Sequence, residues 1–242
     1  STFENQGGIS MQRYQLLSQE EIQMIHENSL RILENVGILF TYQPAKDIFA
    51  KAGAKIDGDL VYFPRQLVER ELKNVPSSFT MYARNPKKNV EINTENTAYV
   101  GPYGSPFVLD LDKGRRSGTL EDFNNIVKIC DVLNNIDIQS HISCEPCDVD
   151  VDIRAKVMVY NTLKYSDKPL MGSVYGYEKS KQCIEMAAMV FGGLDAIKDK
   201  PVIASIPCTL TPLSYDDNMT GAIIAYAETG QPQLVNSLSI AG

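Results

Sequence analysis

At 242 residues, 43% of them hydrophobic and 22% charged, the sequence has globular composition and the length of one large domain, or of one domain with an extension. A formal charge of -7, with no Lys/Arg run longer than two, gives nucleic-acid or anionic-membrane binding no electrostatic footing. No run approaches the roughly 18 apolar residues that span a bilayer, and the polar start Ser1 to Gln6 is unlike a signal peptide, so a soluble cytoplasmic protein is expected. Five cysteines point to reduced thiols, and with His26 and His141 as the only histidines a protein-only zinc site would have to lean on cysteine.

Residues 1–78 read as a helical region. Ser18-Gln19-Glu20-Glu21 has the form of a capping box, behind which Ile22, Ile25, Ser29, Ile32, Leu33 and Val36 share a helical face that stops at Gly37. Pro44 opens a second helix closed by Gly53, and Pro64 a third, with Leu67, Val68 and Leu72 inward, ended by Pro76. Residues 79–118 change period. The short runs Phe79–Arg84, Asn89–Asn93, Thr97–Gly101 and Phe107–Asp112 predict an antiparallel insert or cap, with a hairpin turn at Asp112-Lys113-Gly114.

Residues 119–242 are regular. Thr119-Leu120-Glu121-Asp122 caps a helix carrying Phe123, Ile126, Val127, Cys130 and Leu133. Apolar runs then start at Ile136, Lys168, Pro201 and Pro232, 31 to 33 residues apart, with helical stretches between them. Ile184, Ala187, Ala188 and Phe191 keep i, i+3, i+4, i+7 spacing, as do Met219, Ala222, Ile223 and Tyr226. Asp167-Lys168-Pro169, Asp199-Lys200-Pro201 and Gly230-Gln231-Pro232 place a proline at a strand start, where a missing N–H matters least. The pattern predicts an α/β protein with parallel β/α units. A (β/α)8 TIM-type barrel is favoured over a doubly wound sheet, because the glycine-rich dinucleotide turn is missing. Four such strands are half a barrel, so a fragment is expected, or a chain completed by another.

In such barrels chemistry sits at the carboxyl ends of the strands. Tyr103, Glu145, Ser173, Tyr175 and Asn236 are the candidate substrate-binding residues. Glu145 either contacts substrate or caps a nearby amide. Tyr103, Tyr175 and Tyr177 either offer aromatic faces to a cationic ammonium or are hydrogen-bonded at the mouth. Asp148 is read as starting the next helix, His141 as a satisfied core histidine, and Arg115-Arg116 as a solvated pair. Cys144-Glu145-Pro146-Cys147 has redox or zinc spacing but no second pair, and coincidence explains it better. Lys168 and Lys200 precede their strands, so the opposite face claims them and a Schiff-base lyase or aldolase is disfavoured. P-loop, dinucleotide, zincin and serine-hydrolase motifs are all absent.

Gly104-Ser105-Pro106-Phe107-Val108-Leu109-Asp110-Leu111, then Gly114-Arg115-Arg116 and Thr119-Leu120-Glu121-Asp122-Phe123, followed in order by Asn135-Ile136-Asp137, Glu145-Pro146, Asp167 to Ser173, Glu185 to Ala188, Pro212 to Asp216, Gly230-Gln231-Pro232 and Ile240-Ala241-Gly242, make an ordered series. The series resembles the trimethylamine methyltransferase-like family. The resemblance implies a barrel methyltransferase that moves a methyl group from trimethylamine or a betaine-like quaternary amine to the cobalt of a separate corrinoid protein. The chain itself would bind no cofactor or metal, and a homo-oligomer is expected. Some members of the family carry pyrrolysine, at a position beyond Gly242. The competing expectation is non-catalytic: a fragment, inactive as given, or a half-barrel interaction module.

Overall fold

The computed structural model describes residues 16–237. The polar start Ser1 to Gln6 and the end of the last predicted strand, Leu238 to Ile240, lie outside them, as does the terminal Ala241-Gly242.

The amino-terminal elements are α1 (Gln19–Asn35), β1 (Ile38–Phe40), α2 (Gln43–Ala52), β2 (Lys55–Asp57), β3 (Leu60–Tyr62) and α3 (Arg65–Leu72). The expected capping box starts α1, with Ser18 Oγ accepting from Glu21 N and the Glu21 carboxylate accepting from Ser18 N. Pro44 lies in the first turn of α2, and Gly53 ends that helix in the left-handed region at φ 103°.

Two expectations for this region need correction. It is not wholly helical, since β1, β3 and β2 form a sheet; strands of three residues are too short to display a period of two. The predicted face of α1 is also barely covered. Ile22, Ile25, Ile32 and Val36 are all more than 40% exposed, while Leu30 is the buried residue of the helix.

An antiparallel hairpin of β4 (Phe79–Met81) and β5 (Val90–Ile92) comes next, then a second of β6 (Phe107–Asp110) and β7 (Gly114–Ser117). Gly114 supplies the positive φ, 68°, that closes the second turn. The run Thr97–Gly101 differs from expectation. Its Val100 bridges Ile138 in parallel, so it joins the parallel row and pairs with no hairpin strand.

That row is the centre of the molecule. Val100 pairs with Ile138, and Gln139 with Leu170 of β8 (Leu170–Met171). β8 pairs with β9 (Ile203–Ala204), Ser205 pairs with Gln233, and β10 (Cys208–Thr209) pairs with β12 (Asn236–Ser237). All of these pairings are parallel. The connecting helices are α4 (Leu120–Val132), α5 (Val151–Tyr165), α6 (Tyr177–Met189) with the short α7 (Leu194–Ile197), and α8 (Asp217–Glu228). Parallel strands need such crossovers, which explains the recurrence seen in the sequence. The result is a mixed α/β fold, and among the described residues the row does not close into a barrel.

The two ends of the row are treated differently. At the amino ends, Phe79, Met81, Val90 and Ile92 of the first hairpin pack on Ile138, Met171 and Ala204. Tyr82 N donates to Pro201 O and Arg84 N to Asp167 O, which fixes the hairpin against the strand starts. Lys168 belongs to this end too. Its Nζ donates to Cys130 O, Leu133 O and Ile136 O at 2.6–2.8 Å, satisfying carbonyls left over at the end of α4. Arg84 does the same for α5 through Leu163 O and Ser166 O. Both ammonium and guanidinium are structural caps.

At the carboxyl end of the fourth parallel segment the chain turns back as β11 (Ser214–Tyr215), which pairs in parallel with β1. Phe40 stacks on Tyr215 with ring centroids 5.2 Å apart and 5° between planes. The amino-terminal sheet is therefore attached on the side of the strands' carboxyl ends, the end the hairpin leaves open.

Candidate functional site

Glu145 follows the second parallel segment and Tyr175 the third. The two meet in a cavity of about 290 Å³, lined also by Val151, Arg154 and Ala155 of α5, Lys179 of α6 and Asn218 of α8. Glu145 is held by its backbone N–H, which donates to Ser105 O at 2.8 Å, and by Arg154, whose Nη1 donates to Glu145 Oε1 at 2.7 Å. Both side chains are less than 20% exposed. The carboxylate does not cap an amide; its hydrogen bond runs to a guanidinium instead. Arg154 was not legible as a site residue, because only the first turn of α5 brings it back nine positions onto Glu145.

Tyr103 follows the first parallel segment and lies within electrostatic reach of Tyr175 and Cys208. Burial raises its hydroxyl pKa, and the neighbouring Tyr175 and Cys208 raise it further. Burial also raises Tyr175, where the negative charge of Glu145 adds to the effect and Arg154 opposes it. Both phenols therefore stay neutral in the ordinary pH range. Ser140 and Ser143 are buried with their hydroxyls 3.0 Å apart, and Ser140 Oγ donates to Pro102 O, next to Tyr103 in the chain.

The other candidates are placed apart. Ser173 is fully buried, and its Oγ accepts from Tyr175 N at 3.1 Å, so it shapes the turn that presents Tyr175. Asn236 lies exposed on β12, its backbone paired with Cys208, outside the lining of this cavity. Tyr177 turns away to donate to Glu228 at 2.7 Å, and that bond pushes its pKa up to about 12.

Several structural readings also change. Asp150 caps α5, whereas Asp148 accepts from Leu120 N at the start of α4. Arg116 is no solvated residue: it donates from both Nη atoms to Asp122 and from Nη2 to Asp110, tying the second hairpin to the cap of α4 and holding the Asp122 carboxyl far below its usual range. Its neighbour Arg115 makes no such ion pair among the described residues and lies over the Phe107 ring. His141 is buried as expected but not satisfied, because Nε2 has no partner; burial lowers its pKa to about 4. Cys144 is buried and pushed up to about 11 by desolvation, while Cys147 is exposed, and both are free thiols. No group of three or more His, Cys, Asp or Glu suited to a metal ion occurs among the described residues. No described helix is long and apolar enough to cross a membrane.

The class defined so far is an α/β protein with a parallel strand row, closed at the amino ends and carrying a charged, tyrosine-bearing cavity at the carboxyl ends. A solved structure titled as the hydroxylamine complex of MtmB has the same fold over 92% of this chain and 46% of its own, with a TM-score of 0.60 at 10% identity.

The sequence matches the family described as trimethylamine methyltransferase (MTTB) over residues 5–242, and the chain belongs to that family. It is 43% identical to a glycine betaine methyltransferase of Desulfitobacterium hafniense strain Y51, over 97% of this chain and 49% of that protein. It is 28% identical to the trimethylamine methyltransferase MttB of D. hafniense strain DSM 10664 / DCB-2, over 93% of this chain and 46% of that protein. A proline betaine:corrinoid methyltransferase of Eubacterium limosum is also 28% identical, over 93% of this chain and 47% of that protein. The chain thus spans about half the length of the curated relatives it matches.

Proposed function

We propose that this chain is part of a methyltransferase that passes a methyl group from a quaternary amine of the betaine type to the cobalt of a corrinoid carried by a partner protein. The five parallel segments would be the first part of a (β/α)8 barrel that the rest of the protein completes. Tyr103, Glu145 and Tyr175 would face the substrate. Asn236, on the last described strand, would join them once the barrel is closed, while Ser173 would act through Tyr175.

The observation that carries the reading is Tyr175 beside the Glu145 carboxylate in a cavity at the carboxyl ends of the strands, with Tyr103 within electrostatic reach of Tyr175. Transfer from a quaternary nitrogen breaks a C–N bond and leaves its electron pair on nitrogen as a neutral tertiary amine. The acceptor cobalt(I) supplies the pair for the new bond. No proton moves, so the protein's task is orientation and charge stabilisation. Tyrosine faces suit that task, at ~0.5–2 kcal/mol for each ring against a desolvated cation. The 43% identity to a glycine betaine enzyme, against 28% to a trimethylamine enzyme, favours the quaternary substrate.

The site assignment is tested by Tyr103→Ala, Tyr175→Ala and Glu145→Gln in the full-length protein. Each ring removed should lower kcat/KM for methyl transfer by roughly 2- to 30-fold. Unchanged transfer in all three would defeat it.

A further inference from the structure

We infer that the cavity below Tyr175 is a site for a zwitterion, with Arg154 and Lys179 holding a substrate carboxylate while Glu145 faces the ammonium. The inference rests on the quaternary-amine reading above and says which quaternary amines the pocket accepts.

A guanidinium has five N–H donors. Three of those on Arg154 are engaged: Nη1 with Glu145 Oε1, and Nε and Nη2 with Val149 O at 3.0 and 2.7 Å. One N–H on each η nitrogen is left over, on a side chain that lines the cavity. The fork is also fixed, since Val149 O and Glu145 hold it from two sides, so a carboxylate meets pre-aligned donors.

Lys179 is the second cation and is loosely held. Its one hydrogen bond, to Val151 O, is 3.4 Å long, and its carboxylate partner Asp152 is 3.7 Å away and 85% exposed. Asp152 does not line the cavity, so two positive side chains face it against the single negative charge of Glu145.

Glu145 is engaged through one oxygen: Oε1 accepts from Arg154, and among the described residues Oε2 accepts no hydrogen bond. The residues that line the cavity therefore bring a carboxylate and two cationic side chains together, with Tyr175 beside them and Val151 and Ala155 as apolar wall. A ligand with a positive and a negative end matches both. A bare ammonium gains from Glu145 but meets two like charges, which disfavours it.

The test is calorimetric titration of the full-length protein with glycine betaine and with tetramethylammonium, which has the cation but no carboxylate. The wild-type protein should bind glycine betaine at least about tenfold more tightly. Lys179→Met, at a partly exposed position, should cut that preference about three- to fivefold, and Arg154→Lys should cut it further. Thermal melts check that the variants fold, and if Arg154→Lys does not, Lys179→Met alone decides. An equal wild-type affinity for both cations, or an unchanged preference in the folded variants, overturns the zwitterion site and leaves the methyl-transfer reading standing. Binding of neither cation by the wild-type protein overturns both.

Discussion

The hydroxyl of Tyr226 lies 2.2 Å from where a Cβ on Gly172 would sit, and Ile203 Cδ1 lies 2.6 Å from the same point. Gly172 ends the strand segment that leads to Tyr175, so a ring from α8 fills the space that any larger residue there would need. Gly172→Ala should cost about 1–3 kcal/mol as an overpacked core. The Tyr226 hydroxyl is buried without a partner, so Tyr226→Phe should be neutral or slightly stabilising. The double variant should then lose less than the sum of the two, which urea denaturation of the four proteins would show. Strict additivity would mean that the two groups do not compete for space.

Lys168 gives a stability prediction with no functional component. Replacing it by Met leaves Cys130 O, Leu133 O and Ile136 O without their ammonium donor, at a cost of about 1–3 kcal/mol. The urea midpoint should fall while the affinity for amines stays unchanged. A loss of binding at unchanged stability would instead place Lys168 in the chemistry.

His141 predicts a pH dependence. Its pKa is lowered by burial from 6.5 to about 4. As pH falls, the unfolded chain takes up a proton before the folded one does. The stability is complete above pH 6.5 and is lost between there and about pH 4, amounting to ~3 kcal/mol over the whole window. Unfolding free energies from urea denaturation at pH 7.5 and 5.0 should differ by about 2 kcal/mol from this group, and His141→Gln should remove that part. The same pH sensitivity in the variant would assign it elsewhere.

The Cys144/Cys147 pair predicts a labelling pattern. Cys147 is exposed, while Cys144 is buried with its thiol held near pKa 11. An aromatic disulfide reagent at pH 7.5 should modify Cys147 rapidly and leave Cys144 protected until the protein unfolds. Equal fast reaction of both would revive a redox role for the motif.

The sequence made the periodic parts of this fold legible. The capping boxes at Ser18 and Thr119 and the α6 and α8 stripes are local patterns, and the structure keeps them. The 31- to 33-residue recurrence reflects the length of a strand, a crossover and a helix. What stayed hidden depends on distant partners. Ile38-Leu39-Phe40 is a strand because it finds Val61 and Tyr215, not because of any internal alternation. Val100 joins the parallel row only through Ile138. In the candidate site, Glu145 and Tyr175 could be named from their positions at strand ends. Arg154 could not, because an arginine in the first turn of a helix is most often a solvated residue. The capping role of Asp148 depends in the same way on α4, 28 residues earlier in the chain.

The most direct test of the account is methyl transfer by the full-length protein to a reduced corrinoid protein, with glycine betaine and trimethylamine supplied separately. The account predicts methylated corrinoid and dimethylglycine from glycine betaine, with trimethylamine a much poorer donor. Transfer from trimethylamine alone, or from neither amine with folded protein and reduced cobalt, would contradict it.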